Sequence, residues 1–368
     1  MFAPPRYLQW ARRFFGQVRF DMATSGIPWA TMDSVAPTRA IEVGPWDAPE
    51  RLRDAIAAHN DVPRDEVAPA FGTTHAIWLA CATLVDGRGV AGGGRREPDE
   101  VLVEAPAYEP LAQIPAGCGA IVRTFTRDAA RAFALDPEAI ARAITPHTRA
   151  VVVTDLHNPS GVRAGGDALR AAAHVADSVG AVLIVDEAYG ELGRWVDARG
   201  VYRGSARKLA HNIVAVSSLT KCYGLGAERI GWMLGPSALI ERAQDTLLAS
   251  LGHGPQSHAR AGLEALARTV PLAARARAIV AGKRARVAAW ASARGLTLTS
   301  SEESLFGLIT LPGRGDLTAT IEAGIRDHEV LVSPGAFFGV PDAFRIAWSL
   351  PLDALDEGLE RLAKALSL

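Results

Sequence analysis

Between about residue 100 and residue 235, short apolar runs alternate with stretches whose apolar positions recur at helical spacing. The runs are VLVE (101–104), AIVRTF (120–125), AVVVTD (150–155), AVLIVDEA (181–188), NIVAVSS (212–218) and RIGWML (229–234). Strands that alternate with helices pair in parallel, so this stretch predicts an α/β fold: a three-layer, doubly wound, mainly parallel sheet. Helical patterns around 48–59 and 75–85 supply further cover for its faces. An alanine- and arginine-rich helical tract over 237–295 connects two lobes, and LFGLITLP, VLVSPGAFFG and FRIAWSL, set between helical patterns, read as a smaller α+β domain. The expected division is a large domain over 41–255 and a small domain formed by 1–40 and 256–368 with the connecting helix. At 368 residues the chain exceeds the roughly 250–300 at which single cores stop growing, so two domains are expected.

Composition excludes several classes. A net charge of −1 and the lack of basic clusters interleaved with stacking aromatics argue against nucleic-acid binding. The longest apolar run, AIWLACATLV (76–85), is too short to cross a bilayer, and no signal peptide is visible, so a cytoplasmic location and no membrane partner are expected. Cys81, Cys118 and Cys222 are scattered and odd in number, as reduced thiols are, and His253 and His258 have no partners at metal spacing, so no metal site is expected. The basic, aromatic stretch RYLQWARRFFGQVR (6–19) reads as a terminal helix docking Trp10 and Phe14 onto the body. GRGVAG (87–92) has the glycine spacing of a dinucleotide fingerprint, but it follows a helix and precedes a strand, the reverse of the order that fingerprint needs.

Ligands of parallel sheets sit beyond the carboxyl ends of the strands. Asn158, in HNPSG, follows one such end; Asp186 closes the next run with Tyr189 one turn on; Lys221 follows the third, in SSLTKCYGLGAERIGW. Taken singly, each has a plainer reading: Asn-Pro starts turns, an acidic pair caps helices, and tyrosines pack. Together, on successive strands, they suit a pyridine-aldehyde cofactor, with lysine for the Schiff base, carboxylate for the ring nitrogen, and amide and phenol for the ring oxygen. A phosphate would sit at FGTTHAI, where Gly72, Thr73 and Thr74 open an apolar helix, although a threonine there can equally be a simple N-cap. Ser218 and Arg229 flank Lys221 and can donate to the same anion.

These residues resemble the class I/II aminotransferases, pyridoxal-phosphate enzymes of fold type I related to aspartate aminotransferase. The resemblance covers almost the whole chain, and Ser218, Thr220, Lys221 and Arg229 keep that family's hydroxyl-x-hydroxyl-lysine run with an arginine eight residues on. It implies pyridoxal 5'-phosphate as cofactor and a catalytic role for Lys221, Asp186 and Tyr189. It also implies that Tyr108 stacks on the pyridine ring, that Arg345 in FRIAW binds the substrate carboxylate with Gly26 and Asn158 nearby, and that the enzyme is a homodimer. The implied reaction moves an amino group from an amino acid to a 2-oxo acid. A lyase, a decarboxylase or a cyclising synthase would keep the same cofactor residues, the outcome depending on pocket residues such as the loop SLGHGPQSH (250–258). A non-catalytic, aminotransferase-like sensor would need an added DNA-binding domain, for which the reading leaves no room.

Two features depart from the family pattern. Ala227 replaces the usual glycine two residues before Arg229, with Gly226 one place early and Glu228 beside the arginine. No tyrosine lies between Tyr7 and Tyr108, so EVGPWDAPERLR (42–53) lacks the tyrosine that many relatives extend to the partner's phosphate.

Overall fold

The computed structural model describes residues 4–30, 47–85, 98–192, 204–252 and 254–368. The turn at 87–92, residues 42–46 of EVGPWDAPERLR, and His253 lie outside them. In chain order the first half comprises α1 (Arg6–Ala11), β1 (Phe20–Asp21), α2 (Ala48–Asn60), β2 (Val67–Phe71), α3 (Gly72–Leu84), β3 (Glu100–Ala105), α4 (Pro110–Gly117), β4 (Ile121–Thr126), α5 (Pro137–Ala143), β5 (Thr148–Thr154), α6 (Gly166–Asp177) and β6 (Val182–Asp186). β7 (Ile213–Ser218), β8 (Ile230–Leu234), α7 (Ser237–Leu251), α8 (Gln256–Leu266), α9 (Thr269–Val280) and α10 (Lys283–Ser292) follow. The chain closes with β9 (Leu298–Thr299), β10 (Phe306–Thr310), α11 (Thr318–His328), β11 (Val330–Leu331), β12 (Ser333–Pro334), β13 (Ala343–Ala347) and α12 (Leu352–Ala365).

Seven strands form the large sheet in the order β2-β8-β7-β6-β5-β3-β4. β3 to β7 pair in parallel with their neighbours, while β8 is antiparallel to both β7 and β2. Alternate residues serve opposite faces, as the two-residue strand period requires. Val151, Val153, Leu183 and Val185 enter one core with α2, α6, α8 and α9. Ala150, Val152, Ile184, Val214 and Val216 enter the other with α3, α4 and α7. This is the expected three-layer α/β architecture, and all six strand-like runs are strands of the sheet. β2 was not foreseen, because Pro69 lies inside it; proline cannot donate to a ladder on both sides, and β2 is accordingly an edge strand.

The smaller α+β unit has a four-stranded antiparallel sheet, β12-β13-β10-β9, and a parallel pair, β1-β11, which ties the N-terminal segment to the C-terminal part of the chain. Its core joins Tyr7, Trp10, Trp290, Ile321, Trp348 and Leu359. Trp10 is buried, as expected, and Phe14 packs on it at 5.2 Å, although α1 itself covers only six residues. α8 packs with the large sheet through Ala259, Ala265 and Leu266. We propose that the change from one unit to the other falls after α8, toward Val280, which touches both cores, rather than at 255.

Candidate active site

One edge of the large sheet gathers the functional side chains for a topological reason. Parallel strands β3, β5, β6 and β7 end there at Ala105, Thr154, Asp186 and Ser218. Because β8 runs the other way, its amino end lies at that same edge, and this brings Arg229 to the place where β2 hands over to α3. A cavity of about 300 Å³ opens there. Thr73, Thr74, Tyr108, Asn158, Asp186, Tyr189, Ser218, Lys221, Arg229 and Arg345 all line it. Of the predicted site residues only the two glycines are not in its wall. Both lie directly behind it: a Cβ at Gly26 would stand 3.8 Å from Lys221 Cδ, and one at Gly72 would stand 2.4 Å from Arg229 Nη2.

At the anion end, the Thr73 hydroxyl donates to Ser218 Oγ at 2.9 Å, and Thr220 Oγ1 is buried without a partner. Gly72 has φ +79°, a conformation that favours glycine, and opens α3 with free amides. The loop before Arg229 resolves the Ala227 departure. Gly226–Glu228 form a helical turn, and Arg229 itself takes the left-handed conformation at φ 54°, donating from Nη2 to Phe71 O at 3.2 Å and from Nη1 to Gly226 O at 3.4 Å while lining the cavity.

At the centre, burial and the nearby Arg345 guanidinium pull the Lys221 amine down to about 8, against the pull of Asp186 in the other direction. Burial pushes the Asp186 carboxyl up to about 6, although the Ala188 amide donates to it at 3.1 Å and Lys221 favours its charge. The Tyr189 hydroxyl donates to the Ser25 carbonyl at 3.1 Å, and desolvation raises its pKa.

At the far end Arg345 is buried to 1% exposure. Its Nη1 donates to Asn158 Oδ1 at 2.7 Å, and its Nη2 donates to the Tyr7 hydroxyl at 2.8 Å, to Ala23 O at 2.9 Å and to Ser333 Oγ at 3.1 Å. Its Nε has no partner. The alternative of an internal salt bridge does not hold among the described residues: the acceptors of Arg345 are neutral, which leaves a buried cation facing the cavity without a counter-charge.

Sequence reasoning missed Tyr7, Leu8 and Phe15, which the N-terminal segment contributes to the wall. It also missed the support beneath Asn158, whose backbone N–H donates to Thr154 Oγ1 at 3.1 Å, while Thr154 Oγ1 donates at 2.5 Å to the buried Glu104, itself paired with Arg127 at 2.8 Å. For Glu104 the sequence signal was position, a charged residue at the end of the apolar run VLVE; Tyr7, Leu8 and Phe15 carried no local signal of a site. Among the described residues no cluster of metal-ligating side chains occurs, and no helix is long and apolar enough to cross a membrane.

Known proteins share this chain's sequence pattern and fold. The chain is 29% identical to capreomycidine synthase of Streptomyces vinaceus, over 97% of this chain and 92% of that one. It is 35% identical to a protein of Mycobacterium tuberculosis named "probable N-succinyldiaminopimelate aminotransferase", over 58% of this chain and 53% of that one. Its fold superposes on the pyridoxal-phosphate-dependent cyclase OrfR with a TM-score of 0.82 at 24% identity, covering 100% and 98% of the two chains. The pattern of the family "Aminotransferase class I and II" matches residues 32–362, so this chain belongs to that family and its cofactor is pyridoxal 5'-phosphate.

Proposed function

We propose that the protein is an aminotransferase that moves an amino group from an α-amino acid to a 2-oxo acid. The observation that carries the substrate reading is Arg345: a fully buried guanidinium with neutral acceptors and a free Nε, in the same cavity as a lysine of lowered pKa. Burying such a cation is costly unless a carboxylate completes it, and the α-carboxylate of an amino acid is the natural complement.

The residues fit the cofactor. A Cβ at Gly72 would fill the cradle in front of Arg229, and the orphaned Thr220 hydroxyl points to an acceptor still to come. Thr73, Thr74, Ser218 and Arg229 would hold the phosphate, Tyr108 would stack on the ring, and Asn158 and Tyr189 would bind the ring oxygen. When bound, pyridoxal phosphate supplies an aldehyde that takes up amines and a ring that stores the electron pair of a bond broken at the amino acid's Cα. Asp186 remains mostly ionised at neutral pH and can keep a ring nitrogen protonated. Lys221, lowered to about 8, has a neutral fraction at neutral pH, so Nζ can act as nucleophile and then carry a proton to and from Cα. Arg345, with Gly26 leaving space beside Lys221, orients the amino acid for that transfer.

A cyclising synthase acting on an amino acid is the second reading, favoured by the nearly full-length likeness to capreomycidine synthase. A screen of amino donors with a 2-oxo acid acceptor separates the two. Amino transfer predicts a new oxo acid and a new amino acid in equal amounts; ring product formed without any acceptor would replace it with the second reading.

The enzyme is also proposed to be a homodimer and cytoplasmic. The exposed Leu248 and Leu251 beside the groove lined by Phe71, Trp78 and Arg229 support the first. Three free thiols support the second.

A further inference from the structure

Tyr7 stands near the start of the chain, 338 residues from Arg345 in sequence, yet it is 4% exposed and its hydroxyl is 2.8 Å from Arg345 Nη2. The same hydroxyl is 3.2 Å from Ser333 Oγ, which lies 3.3 Å from Ala23 O. The Tyr7 ring centroid is 5.4 Å from Arg345 Cζ and 6.3 Å from the Tyr108 ring, which it meets edge-on. Its amide donates to Glu109 Oε2 at 2.9 Å, which fastens α1 across the mouth of the cavity at the residue next to Tyr108.

These contacts divide the work of holding one guanidinium. Asn158 fixes Nη1 from the large sheet, while Ala23 and Ser333 reach Nη2 from the small unit. Nη2 has only two N–H bonds for three acceptors, and Asn158 alone holds Nη1, so which acceptors Nη2 serves sets the tilt of the planar group. Tyr7 biases that choice, with the shortest of the three contacts to Nη2 and a ring against the cation. We propose that Tyr7 is a positioning residue for substrate recognition: it sets the orientation in which Arg345 presents its unused donors to an α-carboxylate. This rests on the reading of Arg345 as the carboxylate site.

The test uses the holoenzyme and two probes that differ by one carboxylate, 2-methylalanine and isopropylamine, with affinities measured by calorimetry. Tyr7→Phe keeps the ring and removes the hydroxyl. It should weaken 2-methylalanine about fivefold, the order expected for one hydrogen bond left unmade, and leave isopropylamine within about twofold. In an Arg345→Ala background the Tyr7→Phe change should have no further effect on 2-methylalanine, since there is nothing left to position. A loss shared equally by both probes, or an unchanged affinity for 2-methylalanine, overturns the inference and leaves Tyr7 a packing residue. If Arg345→Ala alone leaves 2-methylalanine unaffected, the carboxylate reading itself fails, and the inference with it.

Discussion

Lys221 and Asp186 are placed where burial works against the charge of each, and the two shifts point in opposite directions. Lys221 is held at about 8 and Asp186 at about 6, so near neutral pH both lie closer to their titration points than solvent-exposed groups would. Removing the amine should remove catalysis. In Lys221→Ala, turnover should fall to background while circular dichroism and thermal midpoint stay near the parent's; measurable turnover would reassign the nucleophile. Asp186 also makes a pH prediction for protein stripped of cofactor. A carboxyl whose folded pKa is raised takes up a proton on folding between its ordinary value, 3.8, and about 6, so stability declines as pH rises through that window. Lys221 does not titrate there; its lowered pKa makes stability rise between about 8 and 10.5 instead. Urea unfolding of the stripped parent should therefore show a decline from pH 4 to 6 that Asp186→Asn makes shallower, the buried Glu104, whose pKa burial also raises, contributing with the same sign in both proteins. An identical slope in both proteins would locate the titrating group elsewhere.

The contact between β8 and the start of α3 decides the shape of the anion end at the element scale. Gly231 faces Gly72 so closely that a Cβ at 231 would stand 2.6 Å from Gly72 Cα and 2.8 Å from Ser217 O, backbone on both sides. Neither neighbour can rotate away, since one opens α3 and the other belongs to β7. Gly231→Ala should therefore cost about 1–3 kcal/mol or more, the range of overpacked cores, and lower affinity for pyridoxal phosphate by pushing Gly72 out of register with Arg229. Thermal denaturation and a cofactor titration check it; a variant with parental values of both would mean that β8 shifts freely. Arg229 adds a second constraint, because its left-handed backbone at φ 54° is what turns the side chain back toward Gly72. The family's glycine two residues earlier is thus not required here, since the turn is made at Gly226–Glu228 and completed by the arginine itself.

At the scale of the whole molecule, the two units meet around Arg345, which is anchored from the large sheet by Asn158 and from the small unit by Ala23 and Ser333. The proposed homodimer belongs to this scale too. Leu248 and Leu251 are 56% and 43% exposed at the end of α7, and Leu251 borders a groove of about 530 Å³ that reaches Arg229. If a second copy covers this face, Leu248→Asp combined with Leu251→Asp should convert the dimer to monomer in sedimentation velocity and reduce activity, because the groove adjoins Thr74 and Arg229 of the proposed phosphate site. A dimer that persists in the double variant would place the interface on another face.

The amino-acid sequence alone determined the sheet and which residues would gather at one cavity, and the reason is local. Each of Asn158, Asp186, Lys221 and Arg229 stands a few residues from a strand terminus, so apolar runs and spacing were enough to place them at one edge. Gly72, Thr73 and Thr74 likewise open α3, as their residue types suggested, and the two threonines line the same cavity. Tertiary structure alone decided what depends on distant segments meeting. Pro69 hid β2 until its edge position was known. The neutral partners of Arg345 come from residues 7, 23, 158 and 333, and no local pattern distinguishes them from an internal ion pair. Tyr7 looked like one aromatic in a docking helix; the pairing of β1 with β11 and the bond from the Tyr7 amide to Glu109 carry that segment across the cavity, where its hydroxyl meets a guanidinium from the other end of the chain.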